Sequence, residues 1–434
     1  RDPDGPCRDY YIWHKGRDGK EPNNWVSFFS GPAWNYYPER DEWALHLFSK
    51  KQMDLNWDNP ALRREVYDMI DWWLAKGVDG FRMDVINLIS KDGLADGSEA
   101  LAGAIGLRGI EHFYGPRLHE YLAEMRRESF GRYDAVTVGE TAGLGMQMSK
   151  MLTAESRAEL DMVFNFDALE NPGKTRFDDY RYDLRYLKKY LLDWQQNYGD
   201  NCWMSLFFEN HDNPRMVSKV NPDPAVRAPL AKLLATLQLT LKGTPFIYQG
   251  QELGLANVDF ASIDEINDVE SRNLYQELCG KMPSEEAWKR ILAGTRDHAR
   301  APMPWNAGPN GGFTAGTPWL RMADGWQTCN AADEMRDPDS VFHYYKKLIA
   351  LRRENPALVY GAFRPVFLKT KKHADVFCYF RVLDGRKFYV ECNLTAHQTP
   401  RPAPLSGAQA KRIGNYAEEA PVLRPYEANV YEVL

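Results

Sequence analysis

At 434 residues the chain exceeds one ordinary compact domain and suffices for one large domain with a smaller one. Hydrophobic residues at 44% and charged residues at 26% exclude a disordered chain, and a net charge of −6 points away from nucleic acid or an anionic membrane as the main partner. No run of eighteen apolar residues occurs, so no transmembrane helix is expected.

The chain opens on Arg1-Asp2-Pro3-Asp4, without Met or an apolar leader, so its natural N-terminus is expected upstream. The first sixty residues read as irregular and rich in Trp, Tyr, Pro and Asn. Pro60 to Lys76 then has helical periodicity, with Pro60 in the first turn and Gly77 as C-cap. A strand follows over Val78 to Val85, a helix over Pro116 to Glu128, and strands over Ala135 to Val138 and Leu160 to Phe166. Next come a helix (Tyr182 to Tyr198), a strand (Trp203 to Phe208), a helix (Pro224 to Lys242) and a strand (Pro245 to Tyr248). A long Gly/Pro-rich stretch precedes a helix over Ser340 to Glu354. From about Tyr360 the pattern changes to alternating strands, Val376 to Val382 and Lys387 to Asn393, joined by the hairpin signal Asp384-Gly385.

Short apolar strands alternating with helices indicate a parallel sheet covered by helices. Five such strands are predicted, where a closed (β/α)8 barrel uses eight. The tail reads as a small antiparallel β domain. Six cysteines (Cys7, Cys202, Cys279, Cys329, Cys378 and Cys392) are scattered without a CxxC pair, which predicts reduced thiols in a cytoplasmic protein rather than a disulfide framework or a zinc site. Aromatics reach 13%, with 13 Trp and 23 Tyr. They suit either a β-rich core or a cleft in which flat rings stack on sugar faces.

Three carboxylates lie at or just past predicted strand ends: Asp84 in GVDGFRMDV (residues 77–85), Glu140 ending AVTVGE (135–140) and Asp212 in FFENHDNPR (207–215). The C-terminal strand ends of a βα barrel converge on one face, where active sites form. Arg82 lies two residues before Asp84, so both point to the same side of the strand, and a neighbouring cation favours an ionised carboxylate. His211 adjoins Asp212. An ionised Asp84 suits a nucleophile, whereas Glu140 needs burial or a nearby anion to hold a proton as an acid. The competing interpretation is an ion-paired barrel interior without catalysis; three carboxylates at strand ends, with Arg and His alongside, favour a site.

At these residues the sequence resembles the α-amylase superfamily, glycoside hydrolase family 13. GVDGFRMDV, VTVGET and ENHDNPR look like three of its four signature regions, and QMDLN (52–56) looks like its fifth, with Met53 in place of Pro. EPNNW (21–25), GTPFIYQGQELG (243–254) and RDHARAPMPW (296–305) are similar to the oligo-1,6-glucosidase subfamily. The resemblance implies a barrel with a B subdomain after its third strand and a β C-terminal domain. Residues 1–57 would be a B-subdomain remnant, 58–358 barrel strands four to eight, and 359–434 the C-terminal domain. The first three βα units would be missing from this chain, with the family's first signature region and calcium-binding loop. No metal or other cofactor is therefore expected in this chain.

Carried over by match, the resemblance implies Asp84 as nucleophile, Glu140 as general acid/base and Asp212 as transition-state stabiliser. Arg82 and His211 would contact the nucleophile and the sugar, and Arg300 would bind the non-reducing sugar, with Arg296 as its alternative. Val85 follows the nucleophile; Val there goes with α-1,6 bonds and Ala with α-1,4 bonds in the family, although Val is also simply a good strand residue. The expected activity is that of a monomeric retaining α-glucosidase acting on short oligosaccharides such as isomaltose. Trehalose-6-phosphate hydrolase and sucrose isomerase are the near alternatives; Arg181 to Arg185 is not the arginine-rich isomerase loop, and no Lys/Arg cluster for phosphate is apparent. A non-enzymatic subunit like those of amino-acid transporters, or an inactive remnant, is the alternative from another class.

Overall fold

The computed structural model describes residues 2, 4–105, 107–366, 373–402 and 409–433. It divides into two compact units: residues 1–167 with 200–203, and residues 168–199 with 204–434. The division falls inside the segment predicted as barrel.

In the first unit, the Trp- and Tyr-rich opening forms a three-stranded antiparallel sheet from β1 (Trp13–His14), β2 (Trp34–Tyr37) and β3 (Glu42–Leu45) in the order β1-β3-β2. Strands of two to four residues are too short to show periodicity, which is why this stretch reads as irregular. Buried Trp25, Trp34, Leu45, Leu47 and Phe113 form its core. Helix α1 (Pro60–Leu74) starts as expected: the Asn59 side chain accepts from Ala61 N, Pro60 fills the first turn, and Gly77 sits at a φ of 92° just past the end. Then come β4 (Gly80–Met83), α2 (Glu99–Ile105), α3 (Leu118–Glu128), β5 (Val136–Glu140), α4 (Met146–Thr153) and β6 (Met162–Phe164). Strands β4-β5-β6 are parallel neighbours in that order. Leu74, Tyr67 and Ile70 of α1 and Leu118, Tyr121, Leu122 and Met125 of α3 are buried together against Phe81, Met83 and Val163 of the strands.

The second unit contains α5 (Leu184–Asn197), β7 (Ser205–Leu206), α6 (Met216–Val220), α7 (Arg227–Thr240) and β8 (Thr244–Pro245), with β7 and β8 parallel. All five predicted parallel strands therefore exist, in a three-stranded and a two-stranded sheet. The Gly/Pro-rich stretch, to which the sequence assigned no element, holds α8 (Val269–Cys279), α9 (Ser284–Gly294), α10 (Asp297–Arg300) and α11 (Ala331–Arg336). Helix α9 buries Ala287 and Ile291 four residues apart, a periodicity masked by the turn residues around it. Helix α12 (Val341–Glu354) is capped by Ser340, whose hydroxyl accepts from His343 N, and α13 (Pro356–Val359) follows.

The tail forms β9 (Ala362–Val366), β10 (Val376–Leu383), β11 (Arg386–Asn393), β12 (Thr399–Pro400), β13 (Gln409–Gly414), β14 (Val422–Leu423) and β15 (Ala428–Val433). The main sheet is antiparallel in the order β13-β15-β11-β10-β9. Asp384 and Gly385 form the expected two-residue turn, with φ of 48° and 80° and Leu383 opposite Arg386. The β10-β11 hairpin and β15 bury Val376, Cys378, Phe380, Tyr389 and Tyr431.

Candidate active site

The first unit brings Arg82, Asp84 and Glu140 together. Strands β4 and β5 are paired in register, Met83 opposite Gly139, so Asp84 and Glu140 occupy corresponding positions at neighbouring strand ends. Arg82 spans them: one terminal guanidinium nitrogen donates to Asp84 and the other to Glu140. Neighbouring strands lie about 4.7–4.9 Å apart, so this placement suits two carboxyl groups flanking one small reacting group. Their surroundings differ. The Asp84 side chain is 71% exposed and that of Glu140 is 7% exposed, which meets the expected burial of the acid candidate.

Two local features set this geometry. Val85 has a φ of 38° and ψ of 40°, a left-handed conformation that β-branched residues rarely adopt, so the chain turns sharply just after Asp84 into the short turn Ile86–Leu88. At Gly139, just before Glu140, any side chain would force its neighbours to shift. A Cβ there would lie 2.7 Å from Ile86 Cγ2 and 2.8 Å from Leu160 Cδ1. Asp54 of the QMDLN segment pairs with Lys91, Oδ1 to Nζ 2.9 Å, and accepts from Leu47 N at 2.9 Å. Asn23 of EPNNW accepts from the indole of Trp34 at 2.7 Å. These motif residues thus hold their own loops.

The second unit brings His211, Asp212 and Arg300 together and adds Arg296. His211 Nε2 lies 3.0 Å from Asp212 Oδ2, Arg300 Nη2 donates to Asp212 Oδ1 at 2.6 Å, and Arg296 Nη1 lies 3.4 Å from the same oxygen. Arg300 Nε also donates to the His211 carbonyl at 2.9 Å, and Arg176 donates to the Asp212 carbonyl. Burial raises the Asp212 pKa, but the His211 hydrogen bond and the charges of His211, Arg296 and Arg300 outweigh it and hold the carboxyl well below the usual range. The supporting loop is fixed by the buried pair Glu209–Arg215 at 3.0 Å, by Glu209 accepting from Met216 N at 3.0 Å, and by Asn210 accepting from Asp212 N at 2.9 Å.

Both Arg296 and Arg300 thus touch Asp212. Their i, i+4 spacing put them on one helical face and was the available signal. Arg176, Asp268 and Glu270 escaped sequence reasoning because they come from loops and a helix start distant in sequence. With Arg176 on its carbonyl and Arg296 and Arg300 on its carboxylate, three arginines touch Asp212, though Arg176 also pairs with Glu270 and Arg296 with Asp268. Among the described residues no cluster of three or more His, Cys, Asp or Glu is arranged to hold a metal ion, and no helix is long and apolar enough to cross a membrane. All six cysteines are free.

The α-amylase catalytic-domain model matches residues 1–361. An oligo-1,6-glucosidase from Halalkalibacterium halodurans is 44% identical over 99% of this chain and 78% of its own length. A trehalose-6-phosphate hydrolase from Escherichia coli is 39% identical over 98% of this chain and 77% of its own. The crystal structure of an isomaltulose synthase from Erwinia rhapontici superposes with a TM-score of 0.92 at 36% identity, covering 99% of this chain and 78% of that one.

Proposed function

The chain belongs to the α-amylase family, with its barrel fold and C-terminal β domain, and from that premise we propose that it is a retaining α-glucosidase of the oligo-1,6-glucosidase type. The observation that carries the reading is the in-register placement of Asp84 and Glu140, spanned by Arg82. In a retaining glycosidase two carboxyl groups about 5–5.5 Å apart share the work. Asp84 attacks the anomeric carbon while Glu140 protonates the leaving oxygen. Glu140 then takes a proton from the water that releases the glucosyl unit, and the configuration is retained. Asp212, kept ionised by its arginines, stabilises the positive charge that builds on the sugar ring. Arg82, His211 and Arg300 with Arg296 orient the carboxylates and bind sugar hydroxyls. Two carboxylates and water suffice for this chemistry.

The substrate is a short oligosaccharide with a terminal α-1,6 bond, isomaltose being the simplest, with α-1,4 bonds as slower substrates. Val85 supports this linkage, and the 44% identical relative is named for the same activity. We place the enzyme in the cytoplasm as a monomer. Trehalose-6-phosphate hydrolysis is the second reading, favoured by the three arginines at Asp212. It ranks second because Arg176 and Arg296 are already held by carboxylates and Arg300 by Asp212. The test compares rates on isomaltose, maltose and trehalose 6-phosphate at equal concentration. Fastest release of glucose from isomaltose supports the reading; turnover of trehalose 6-phosphate alone, or of none of the three, overturns it.

A further inference from the structure

Around Asp212, the carboxylate of Asp268 has no direct contact with the groups proposed to handle substrate except through Arg296. Its side chain is 1% exposed. Oδ1 accepts from Arg296 Nε at 2.9 Å and Nη2 at 2.5 Å, and Nη1 of the same guanidinium lies 3.4 Å from Asp212 Oδ1. Oδ2 accepts from Ser271 Oγ at 2.6 Å and Ser271 N at 3.2 Å, which caps α8. The grip is reciprocal. Asp297, next to Arg296, is buried and accepts from the backbone N of Asn267 at 2.6 Å and of Asp268 at 3.0 Å. Two consecutive residues, 296 and 297, therefore hold residue 268 by its carboxylate and by its amide.

An arginine side chain has many rotamers, and a planar guanidinium bound on two nitrogens by one carboxylate oxygen loses most of them. Without that hold, Arg296 would swing between Asp212 and Glu270, which is 3.5 Å from its Nη2. The charge at Arg296 also bears on Asp212, whose carboxyl must stay ionised to face a cationic sugar ring. The Asp268 carboxylate thus serves two partners at once, capping α8 through Ser271 and holding the guanidinium of Arg296. The double function explains its presence.

We infer that Asp268 is a positioning residue for the glycosidic reaction: it fixes the guanidinium of Arg296 so that Asp212 is held ionised and aimed, while itself touching neither substrate nor the reacting atoms. This rests on the glucosidase reading above. The diagnostic variant is Asp268→Asn, which keeps size and one acceptor but removes the charge; Ser271→Ala is its structural control, because it removes a cap partner and leaves the Arg296 pair intact.

On p-nitrophenyl α-glucoside, Asp268→Asn should lower kcat by about 10- to 100-fold, the scale of a misplaced catalytic group. KM should change by less than about threefold, and Ser271→Ala should keep kcat within about threefold whatever it does to the melting temperature. In an Arg296→Met background Asp268→Asn should cost less than about threefold more, because the residue acts through Arg296. Wild-type kcat in Asp268→Asn, an undiminished loss in the Arg296→Met background, or an equal kcat loss in Ser271→Ala would overturn the inference. A readout independent of turnover is hydrogen exchange at Arg296 Nε by NMR. It should be protected in the wild-type chain and in Ser271→Ala and fast in Asp268→Asn; fast exchange in the wild type would overturn the inference by itself. A wild-type chain that protects Arg296 Nε yet cleaves no α-glucoside would instead remove the glucosidase reading, and with it the catalytic part of the assignment.

Discussion

Gly139 offers a stringent test of how the two carboxylates are held together. A methyl group added there would meet Ile86 Cγ2 at 2.7 Å and Leu160 Cδ1 at 2.8 Å, both on side chains only 5% exposed. Overpacking of this kind costs about 1–3 kcal/mol. Removing a glycine from a strand returns about 0.5–1 kcal/mol, so Gly139→Ala should destabilise by about 1–2 kcal/mol net. At about 2–4 °C per kcal/mol for a unit of this size, the melting temperature should fall by about 2–8 °C. The relief of the clash moves β5 away from the turn at Ile86, and thus Glu140 relative to Asp84. Because a displacement of about 1 Å can cost about 100-fold in rate, kcat should fall by about 10- to 100-fold, more than the stability loss alone would give. Ile86→Ala removes the Cγ2 contact, so the double variant should be less destabilised than the sum of the singles. Thermal melts and turnover on p-nitrophenyl α-glucoside check this. A Gly139→Ala chain with unchanged melting and unchanged kcat would refute the reasoning.

Val85→Ala should raise the ratio of maltose to isomaltose hydrolysis by an amount worth about 1–3 kcal/mol, a shift and not a switch. It should not lower the melting temperature, since left-handed Val is itself strained by about 1–3 kcal/mol; a wild-type enzyme that already prefers maltose would defeat the argument. Asp212 has a depressed pKa, so its contribution to stability is present above its unfolded value of about 3.9 and is lost as pH falls below that value. Arg300→Met should raise the Asp212 pKa and move acid inactivation to higher pH, measured as the acid limb of kcat; an unmoved limb counts against Arg300 acting on Asp212. Arg215→Met should destabilise by about 3–5 kcal/mol, because it strands the buried Glu209 carboxylate. Burial already raises the Glu209 pKa, so the folded variant gains a proton as pH falls, and its deficit in denaturant melts should shrink from pH 7 towards pH 5.

The parts of this molecule legible in its sequence are those with strong local pattern. All five parallel strands, the helices α1, α3, α5, α7 and α12 and the Asp384-Gly385 hairpin follow from periodicity, caps and turn chemistry. Strand ends were less legible: Trp203 to Phe208 is apolar apart from Ser205, yet only Ser205 and Leu206 pair, because pairing depends on where the partner strand stops. Asp84, Glu140 and Asp212 were legible because strand ends concentrate function and because Arg82 and His211 sit beside them. Arg176 and Asp268 were not, since nothing local in RFDD or NDVES announces a partner dozens of residues away. The left-handed backbone at Val85 was also invisible, because Val reads as an ordinary strand residue until the chain is seen to turn.

The central claim is that Asp84 and Glu140 act as a nucleophile and acid/base pair on one glucosyl unit. Proton NMR of isomaltose hydrolysis, recorded before mutarotation scrambles the product, tests it most directly. α-Glucose should be the first product released from the non-reducing end, with Asp84→Asn reducing the rate by orders of magnitude. Release of β-glucose first would mean direct attack by water and would contradict it.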